Sequence, residues 1–303
     1  MAEQTPAFRP LYFIAAYPYS GGERVRGVTF AAAAFGSPNP PEKLNFAQID
    51  NVLPWDVHEE LYRMATGKDP KTFGEPEIAA ARLEVHRLLA EKFPGLPVVR
   101  TQAMRASYHG HRTINGDVSR GATYLVRNPI DIALAISKMG RLEPLKAISV
   151  MVQRGRRARP HARAMLEPIG SWSENVDSWT AGMDRNILVV RYEDLVRKPS
   201  RTYEDIFRHM KFNVSGPLLD KAIQSVSGVR GEVSGLTMTD FKPMEIRALV
   251  EVMARGMDRH GYLTDAVLDY AKIGREEALA LSAKHNQQAV PAAAEAMPVA
   301  AND

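Results

Sequence analysis

A single stretch near the N-terminus constrains the fold of this 303-residue chain more than any other. The apolar residues 11–15 predict a buried strand, because a short apolar run ended by turn residues suits a parallel strand covered on both faces. Ser20, Gly21 and Gly22 then predict a tight turn, after which an apolar helical pattern resumes. Strand, glycine turn and helix together aim free backbone N–H groups and a helix dipole at one point, which suits a phosphate or a sulfate. An ordinary strand–helix connection explains the same segment equally well.

Composition narrows the class of protein. Hydrophobic residues make up 45% of the chain and charged residues 24%, as in soluble globular proteins. No run approaches the roughly 18 apolar residues of a membrane span, and residues 1–6 carry no basic segment of a secretory signal. The sequence contains no cysteine, which removes disulfides, thiolate nucleophiles and cysteine metal sites. A cytoplasmic protein without a membrane span is therefore expected.

A cluster of basic residues interrupts an otherwise mild net charge of +4. Five arginines, with His161 among them, fall within residues 154–163. Such a cluster suits an anionic substrate, a phosphate-bearing surface or nucleic acid. It lacks the interleaved aromatic residues of a single-strand binder, so nucleic acid is not the expected partner. A solvated surface is the favoured interpretation.

Short apolar runs alternate with helical patterns along the chain. The runs predict strands at residues 11–15, 97–101, 122–127 and 186–191. Longer helical patterns cover residues 75–93, 131–139, 200–210 and 244–260. This alternation predicts a three-layer α/β fold, in which a central parallel sheet is flanked by helices. Residues 108–120 are polar and predict a loop, whereas Trp172, Val176 and Trp179 recur at helical spacing and predict core positions.

The same pattern divides the chain into three parts. Residues 1–10 are an N-terminal extension, and residues 11–275 form the domain. Residues 276–303 are predicted to be a disordered tail, since the chain becomes rich in Ala, Pro and Glu from Ala289 onward. Ligands of parallel sheets bind beyond the carboxyl ends of the strands, where the glycine turn, Arg127 and Tyr192 are predicted to meet.

Three segments, in this order and spacing, resemble the sulfotransferase family, whose donor is 3′-phosphoadenosine 5′-phosphosulfate. Residues 17–22 (Tyr-Pro-Tyr-Ser-Gly-Gly) resemble its 5′-phosphosulfate loop, and residues 124–133 (Tyr-Leu-Val-Arg-Asn-Pro-Ile-Asp-Ile-Ala) resemble its 3′-phosphate strand and helix. The Gly-Ser-Trp-Ser at 170–173, followed by Val-Val-Arg-Tyr-Glu-Asp-Leu at 189–195, resembles its middle segment. The likeness runs from about residue 11 to 265 and implies a P-loop-like fold.

The resemblance assigns roles to particular residues. It implies that the donor's 5′ end contacts the loop residues Tyr19, Ser20, Gly21, Gly22, Glu23 and Arg24. It further implies that Arg127 binds the 3′-phosphate and that Tyr192 contacts the adenine. Arg230 and Gly231 are the remnant of a late basic-glycine loop. For the reaction itself it implies that Arg100 stabilises charge and that Gln102 orients the acceptor. His109 and His111 follow in a loop and are candidates for a displaced base, although surface histidines are common in loops. No metal is expected.

Four departures from the family pattern fall on its chemistry. Tyr19 stands where the loop lysine is expected, and Glu23 stands at a threonine position, where a carboxylate repels a phosphosulfate. Gln102 replaces a histidine, and its amide does not accept a proton near neutral pH. In the 3′-phosphate helix, Ala135 replaces a serine.

Two functions of different classes follow. The first is an enzyme that transfers a sulfuryl group from the adenylyl donor to a hydroxyl or amine of a small molecule or glycan. The alternative is a catalytically impaired family member that binds a nucleotide, another anion or a protein, and an enzyme using another donor also stays open. The sequence leaves open the acceptor and whether the chain forms a homodimer.

Overall fold

A computed structural model describes residues 8–182, 184–226 and 238–287. These residues form the following strands: β1 (Leu11–Ala16), β2 (Val98–Thr101), β3 (Ser107–Tyr108), β4 (His111–Arg112), β5 (Ser119–Val126), β6 (Arg157–Ala158), β7 (Glu167–Pro168) and β8 (Ile187–Arg191). They form the following helices: α1 (Gly22–Phe35), α2 (Ile49–Val52), α3 (Glu59–Thr66), α4 (Glu75–Lys92), α5 (Pro129–Gly140), α6 (Pro144–Val152), α7 (Trp172–Thr180), α8 (Tyr192–Arg197), α9 (Pro199–Met210), α10 (Gly216–Val226), α11 (Pro243–Arg259), α12 (Asp265–Ala271) and α13 (Arg275–Gln287). Short 3₁₀ turns connect some of them, at Phe46–Gln48, Pro70–Thr72, Gly116–Val118 and Met238–Asp240.

Four parallel strands form the central sheet, in the order β2-β1-β5-β8. In the registers, Ile14 lies opposite Arg100 on β2, and Ala15 lies opposite Tyr124 on β5. All six residues of β1 are buried, as expected for a parallel strand covered on both faces. The four predicted strands and their parallel arrangement are confirmed.

Alternate residues of β1 belong to two different hydrophobic clusters. Leu11 and Phe13 pack in the cluster that includes α4, α7 and α11. Tyr12 and Ile14 pack in the cluster that includes α1, α9 and α10. Because successive side chains of a strand point to opposite faces, helices cover both faces of the sheet. The predicted α/β architecture with flanking helices is therefore confirmed.

The structure corrects several local predictions. Residues 108–120, predicted as a loop, include the β3–β4 hairpin and the start of β5. Helix α13 lies within the predicted tail, where Ser282 is buried and its hydroxyl donates to the carbonyl of Val252 on α11. Residues 288–303 lie outside the described residues, and the division of the chain into three parts stays a prediction. Within the described residues, no helix has both the length and the apolar character needed to cross a membrane.

The arginine cluster at residues 154–163 is only partly a solvated surface. Arg156 is buried, and Arg154 and Arg157 are paired with carboxylates. Arg159 and Arg163 are exposed. The cluster turns inward because β6 pairs with β7, which draws this segment onto the domain.

A buried ionic network lies beneath the carboxyl end of β2. Asp56 accepts from Arg82 Nη1 at 2.8 Å and lies 3.1 Å from His86 Nε2. Glu167 is fully buried, and its Oε1 accepts from the backbone N–H of Gln102 at 2.6 Å. Burial, reinforced by the Asp56 carboxylate, raises the pKa of Glu167 to about 7. The backbone at the end of β2 is therefore held by a carboxyl group whose pKa is raised toward neutral pH.

Glu167→Gln is expected to flatten the pH dependence of stability. The folded-state pKa lies above the ordinary value of 4.5, so between these values the native state holds a proton that the unfolded state has released. The corresponding stability is complete below about pH 4.5 and is lost as the pH rises through about 7; it amounts to about 3 kcal/mol in full, of which about 2 kcal/mol is lost between pH 5.5 and pH 8. Urea unfolding at pH 5.5 and pH 8 measures the difference. Glu84→Gln, at an exposed carboxylate paired with Arg87, should keep the wild-type slope, and an unchanged slope in Glu167→Gln would contradict the assignment.

Candidate functional site

A cleft of about 400 Å³ lies at the carboxyl edge of the sheet. All four strands of the sheet deliver residues to it. Its lining includes residues 17–19 and 21–24 after β1, residues 100–102 at the end of β2, Arg127 after β5 and Tyr192 after β8. Strand ends thus gather predicted site residues that lie far apart in the sequence.

The glycine turn after β1 is shaped by a close contact with Tyr192. Gly21 has φ +95°, and a Cβ there would lie 2.4 Å from Cδ2 of the Tyr192 ring. Only glycine satisfies both the left-handed backbone and this close approach. Helix α1 begins at Gly22, so its first N–H groups open toward the turn. Ser20 is 1% exposed, and its buried Oγ has no hydrogen-bond partner among the described residues.

Arg127 joins the turn to the end of β8. Its Nη1 donates to the carbonyl of Tyr19 at 2.8 Å, and its guanidinium carbon lies 4.3 Å from the centroid of the Tyr192 ring. Its buried Nε has no hydrogen-bond partner within the described part of the chain. Buried donors without partners are costly unless a ligand or water satisfies them. The unpaired Ser20 hydroxyl and Arg127 Nε therefore fit an anion-binding cradle.

Arg100 provides a buried positive charge at the end of β2, but Glu23 neutralises it. Arg100 Nε lies 2.5 Å from Glu23 Oε1, and the guanidinium carbon lies 3.4 Å from the centroid of the Trp55 ring. Burial lowers the pKa of Arg100, and Glu23 opposes that effect. Arg26 also faces Glu23, at 3.6 Å, while its Nε donates to the carbonyl of Leu53. Glu23 is thus an internal anion that any bound anion must displace from Arg100.

The backbone around Gln102 is fixed by buried partners. Its N–H is held by Glu167, and its carbonyl accepts from Asn175 Nδ2 at 2.9 Å. One step further, Trp179 Nε1 donates to the carbonyl of Ala103 at 3.0 Å. Trp179 is buried, as are Trp172 and Val176, so the predicted core role of this helix is confirmed. Asn175 on this helix also holds the Gln102 backbone at the wall of the cleft.

The structure does not bring the two predicted loop histidines to the cleft. His109 lies at the turn of the β3–β4 hairpin, where its Nε2 is 3.3 Å from Glu75 Oε2. His111 lines a separate small cavity beside Ile78 and Arg82. The interpretation of His109 or His111 as a displaced base is corrected here, because hairpin formation directs residues 107–112 away from the end of β2.

Two other histidines, His58 and His161, line the cleft together with Arg100 and Gln102. Their ring centroids are 5.1 Å apart, and His58 Nε2 lies 3.0 Å from Asp50 Oδ1. Burial and the neighbouring His58 lower the pKa of His161, so its ring is neutral near pH 7. Although burial alone opposes it, contact with His58 and Arg26 holds the pKa of Asp50 well below its usual value. No local sequence pattern marks this group, since Asp50, His58 and His161 come from three separate segments.

Comparison with known proteins shows a partial likeness to sulfotransferases. No family model matches the chain. Sulfotransferase 4A1 of mouse is 25% identical over 177 residues, covering 55% of this chain and 59% of the mouse protein. The human protein of the same name is 26% identical over 163 residues, covering 51% of this chain and 54% of its own length. The chain is therefore similar to members of the sulfotransferase family over about half of its length.

The matches span little more than half the length of these sulfotransferase relatives. Among solved structures, mouse sulfotransferase SULT7A1 complexed with PAP is similar at a TM-score of 0.49 and 14% identity, covering 88% of this chain and 91% of that one. The sulfotransferase domain from the Synechococcus PCC 7002 olefin synthase is similar at a TM-score of 0.39 and 14% identity, covering 94% and 98%.

The remaining residues predicted from the sulfotransferase resemblance divide between the cleft and the part of the chain outside the described residues. Tyr19 and Arg24 line the cleft. Tyr19 adopts φ +65° and packs against the larger hydrophobic cluster, so it does not reproduce the reach of a loop lysine. Arg230 and Gly231 lie outside the described residues. Among the described residues, no group of three or more metal-ligating side chains was found.

Glu23→Gln is expected to strengthen anion binding in the cleft. The substitution removes a negative charge from beside Arg100, so an anion no longer competes with a carboxylate, and affinity for inorganic sulfate should rise about tenfold. Calorimetric titration with sulfate at constant ionic strength measures the change. Glu59→Gln, which removes a carboxylate paired with Arg63 on α3, is the matched control. Equal affinities for wild type and Glu23→Gln would show that Arg100 is not the anion's partner.

Proposed function

We propose that this protein binds 3′-phosphoadenosine 5′-phosphosulfate in the cleft and transfers its sulfuryl group to a hydroxyl or amine of a small molecule or glycan. The observation that carries the proposal is the convergence of Gly21, Arg127 and Tyr192 around buried donors that lack partners. Arg100 lies in the same cavity. The relationship to the sulfotransferases supports this donor, and the bound donor supplies an activated sulfuryl group.

Each end of the donor has a matching part of the cleft. Arg127 is assigned to the 3′-phosphate, because its unpaired Nε and charge favour an anion. Tyr192 is assigned to the adenine, as the sulfotransferase resemblance implies. The buried Ser20 hydroxyl and the N–H groups at the start of α1 are assigned to the 5′ end, where the helix dipole favours negative charge. Arg100, once released by Glu23, stabilises charge on the leaving phosphate.

His58 is assigned as the base that accepts the acceptor's proton. Contact between Nε2 and Asp50 favours the tautomer with its proton on Nε2, which leaves the lone pair of Nδ1 available. Asp50 also stabilises the imidazolium that forms when Nδ1 takes up a proton, the role that a carboxylate plays beside a catalytic histidine. This pair supplies the proton acceptor that Gln102 cannot provide, while the Gln102 amide orients the acceptor group.

A second candidate is a binding protein without turnover. The observation that favours it is the pairing of Glu23 with Arg100, together with Tyr19 at the position of the loop lysine. In that case the cleft still binds a nucleotide or another anion, but lacks a free cation for the leaving group. A cytoplasmic location stays a prediction, and so does the acceptor class, a hydroxyl or amine of a small molecule or glycan.

Donor binding is tested by calorimetric titration with 3′-phosphoadenosine 5′-phosphate. The native protein should bind it, and Arg127→Ala should weaken binding about 10- to 100-fold, because a charged hydrogen-bonding partner of the phosphate is lost. Arg208→Ala, at an exposed arginine paired with Asp205 on α9, should bind like wild type. Absence of binding by the native protein would rule out this nucleotide as a ligand in both candidate functions.

Turnover is tested with labelled donor and a mixture of phenols, amines and sugars. His58→Gln is expected to lower kcat about 10²- to 10⁴-fold, the usual contribution of a positioned general base. Nucleotide affinity should be unchanged, since His58 is not assigned to the donor. His285→Gln, at a histidine on α13 outside the cleft lining, serves as the matched control. A wild-type kcat in His58→Gln would show that the proton is accepted elsewhere, and no turnover by the nucleotide-binding native protein would favour the binding protein.

A further inference from the structure

A second cavity, of about 600 Å³, lies at the opposite edge of the sheet from the cleft. Its lining includes residues 119–122 at the start of β5 and residues 186–187 at the start of β8. The β3–β4 hairpin contributes Ser107 and Arg112 to the wall. Because the strands are parallel, this cavity at their amino ends is separated from the donor cleft by the length of the sheet.

The charge in this cavity is not balanced. Three arginines line it, Arg105, Arg112 and Arg120, whereas among the described lining residues Asp184 is the one carboxylate. Arg105 Nη2 donates to Asp184 Oδ2 at 2.8 Å, which accounts for that carboxylate. Within the described part of the chain, the guanidinium groups of Arg112 and Arg120 therefore face the cavity without a carboxylate partner.

The guanidinium group of Arg120 is partly buried and incompletely hydrogen-bonded. Its Nε is buried and has no hydrogen-bond partner among the described residues. Its guanidinium carbon lies 5.6 Å from the centroid of the Tyr12 ring, and burial lowers its pKa. A desolvated guanidinium with an unpaired donor is costly unless an anion compensates it. This buried, unpaired donor belongs to a residue that lines the second cavity.

The remaining wall of the cavity is apolar. Phe13, Ile114 and Trp179 line it, and all three are buried members of the larger hydrophobic cluster. Serine hydroxyls at Ser107 and Ser119 stand among them. Arginine forks recognise tetrahedral oxyanions through paired N–H groups, and an apolar wall suits an aromatic or aliphatic body.

We propose that this cavity is a second binding site, for a small phosphate or sulfate monoester with an apolar body. The oxyanion pairs with Arg112 and Arg120, the hydroxyls of Ser107 or Ser119 donate to it, and the apolar body packs on Phe13 and Trp179. The site is independent of the donor cleft and does not rest on the function proposed for that cleft.

The test is a calorimetric titration with phenyl phosphate at low ionic strength, in wild type and four arginine variants. In the variant Arg112→Glu/Arg120→Gln, the affinity of this cavity for phenyl phosphate should fall about tenfold or more, since both guanidinium groups proposed to bind the oxyanion are removed. Arg127→Gln, altered in the donor cleft, and Arg208→Gln, altered on the surface of α9, should retain it. Arg112→Glu alone, at an exposed position, should already weaken binding and preserves the test if Arg120→Gln impairs folding.

The alternative outcomes are equally definite. Loss of all phenyl phosphate binding in Arg127→Gln, with full affinity in Arg112→Glu, would place the binding in the donor cleft and overturn the proposal. No binding in either wild type or Arg127→Gln would overturn it as well. Equal affinity for phenyl phosphate and inorganic phosphate would remove the apolar body from the proposed ligand and so overturn its class.

Discussion

The contact between Gly21 and the ring of Tyr192 is the constraint on which the cleft depends. A side chain on residue 21 would collide with the ring, and a larger residue would also be strained at its positive φ. With glycine there, the turn after β1 closes onto the end of β8, and Arg127 stacks on the same ring. Three elements that are remote in sequence thereby share one small volume, and helix α1 starts in the orientation that aims its N–H groups into it.

Charge within the cleft is arranged around internal pairs. Glu23 holds Arg100, Asp50 contacts both Arg26 and His58, and in each case the partners come from different segments. An incoming anion gains the attraction of Arg100 only by displacing Glu23, so the net energy of binding is a difference between two similar interactions. This arrangement reconciles a family fold with an altered loop: the positive charge is retained, but it is not freely available. The Asp50–His58 pair lies in the same cleft, where we propose that His58 accepts the proton.

Beneath the surface of the cleft, buried polar groups fix its floor. The Oδ1 atom of Asn175 accepts a hydrogen bond from the hydroxyl of Tyr124, and its Nδ2 donates to the carbonyls of Gln102 and Ile169. Every one of these bonds is buried, where an unmade hydrogen bond is most costly. The helix that carries Asn175 therefore has two roles. Its tryptophans pack in the hydrophobic core, and Asn175 hydrogen-bonds the backbone at the end of β2. The polarity of the parallel sheet then separates two positively charged cavities, one at each edge.

The sequence by itself determined the sheet and part of the site. Short apolar runs and glycine turns are local signals, and they placed the four parallel strands, the turn at Gly21, Arg127 and Tyr192. Only the tertiary structure decided which charges meet. Asp50 and His58 are joined across two short segments, Glu23 reaches Arg100 on another strand, and the hairpin carries His109 and His111 away from the cleft. Such pairings depend on the approach of side chains from distant segments, for which apolar periodicity gives no signal. The sequence pattern determines local secondary structure, whereas tertiary packing determines which charged side chains pair.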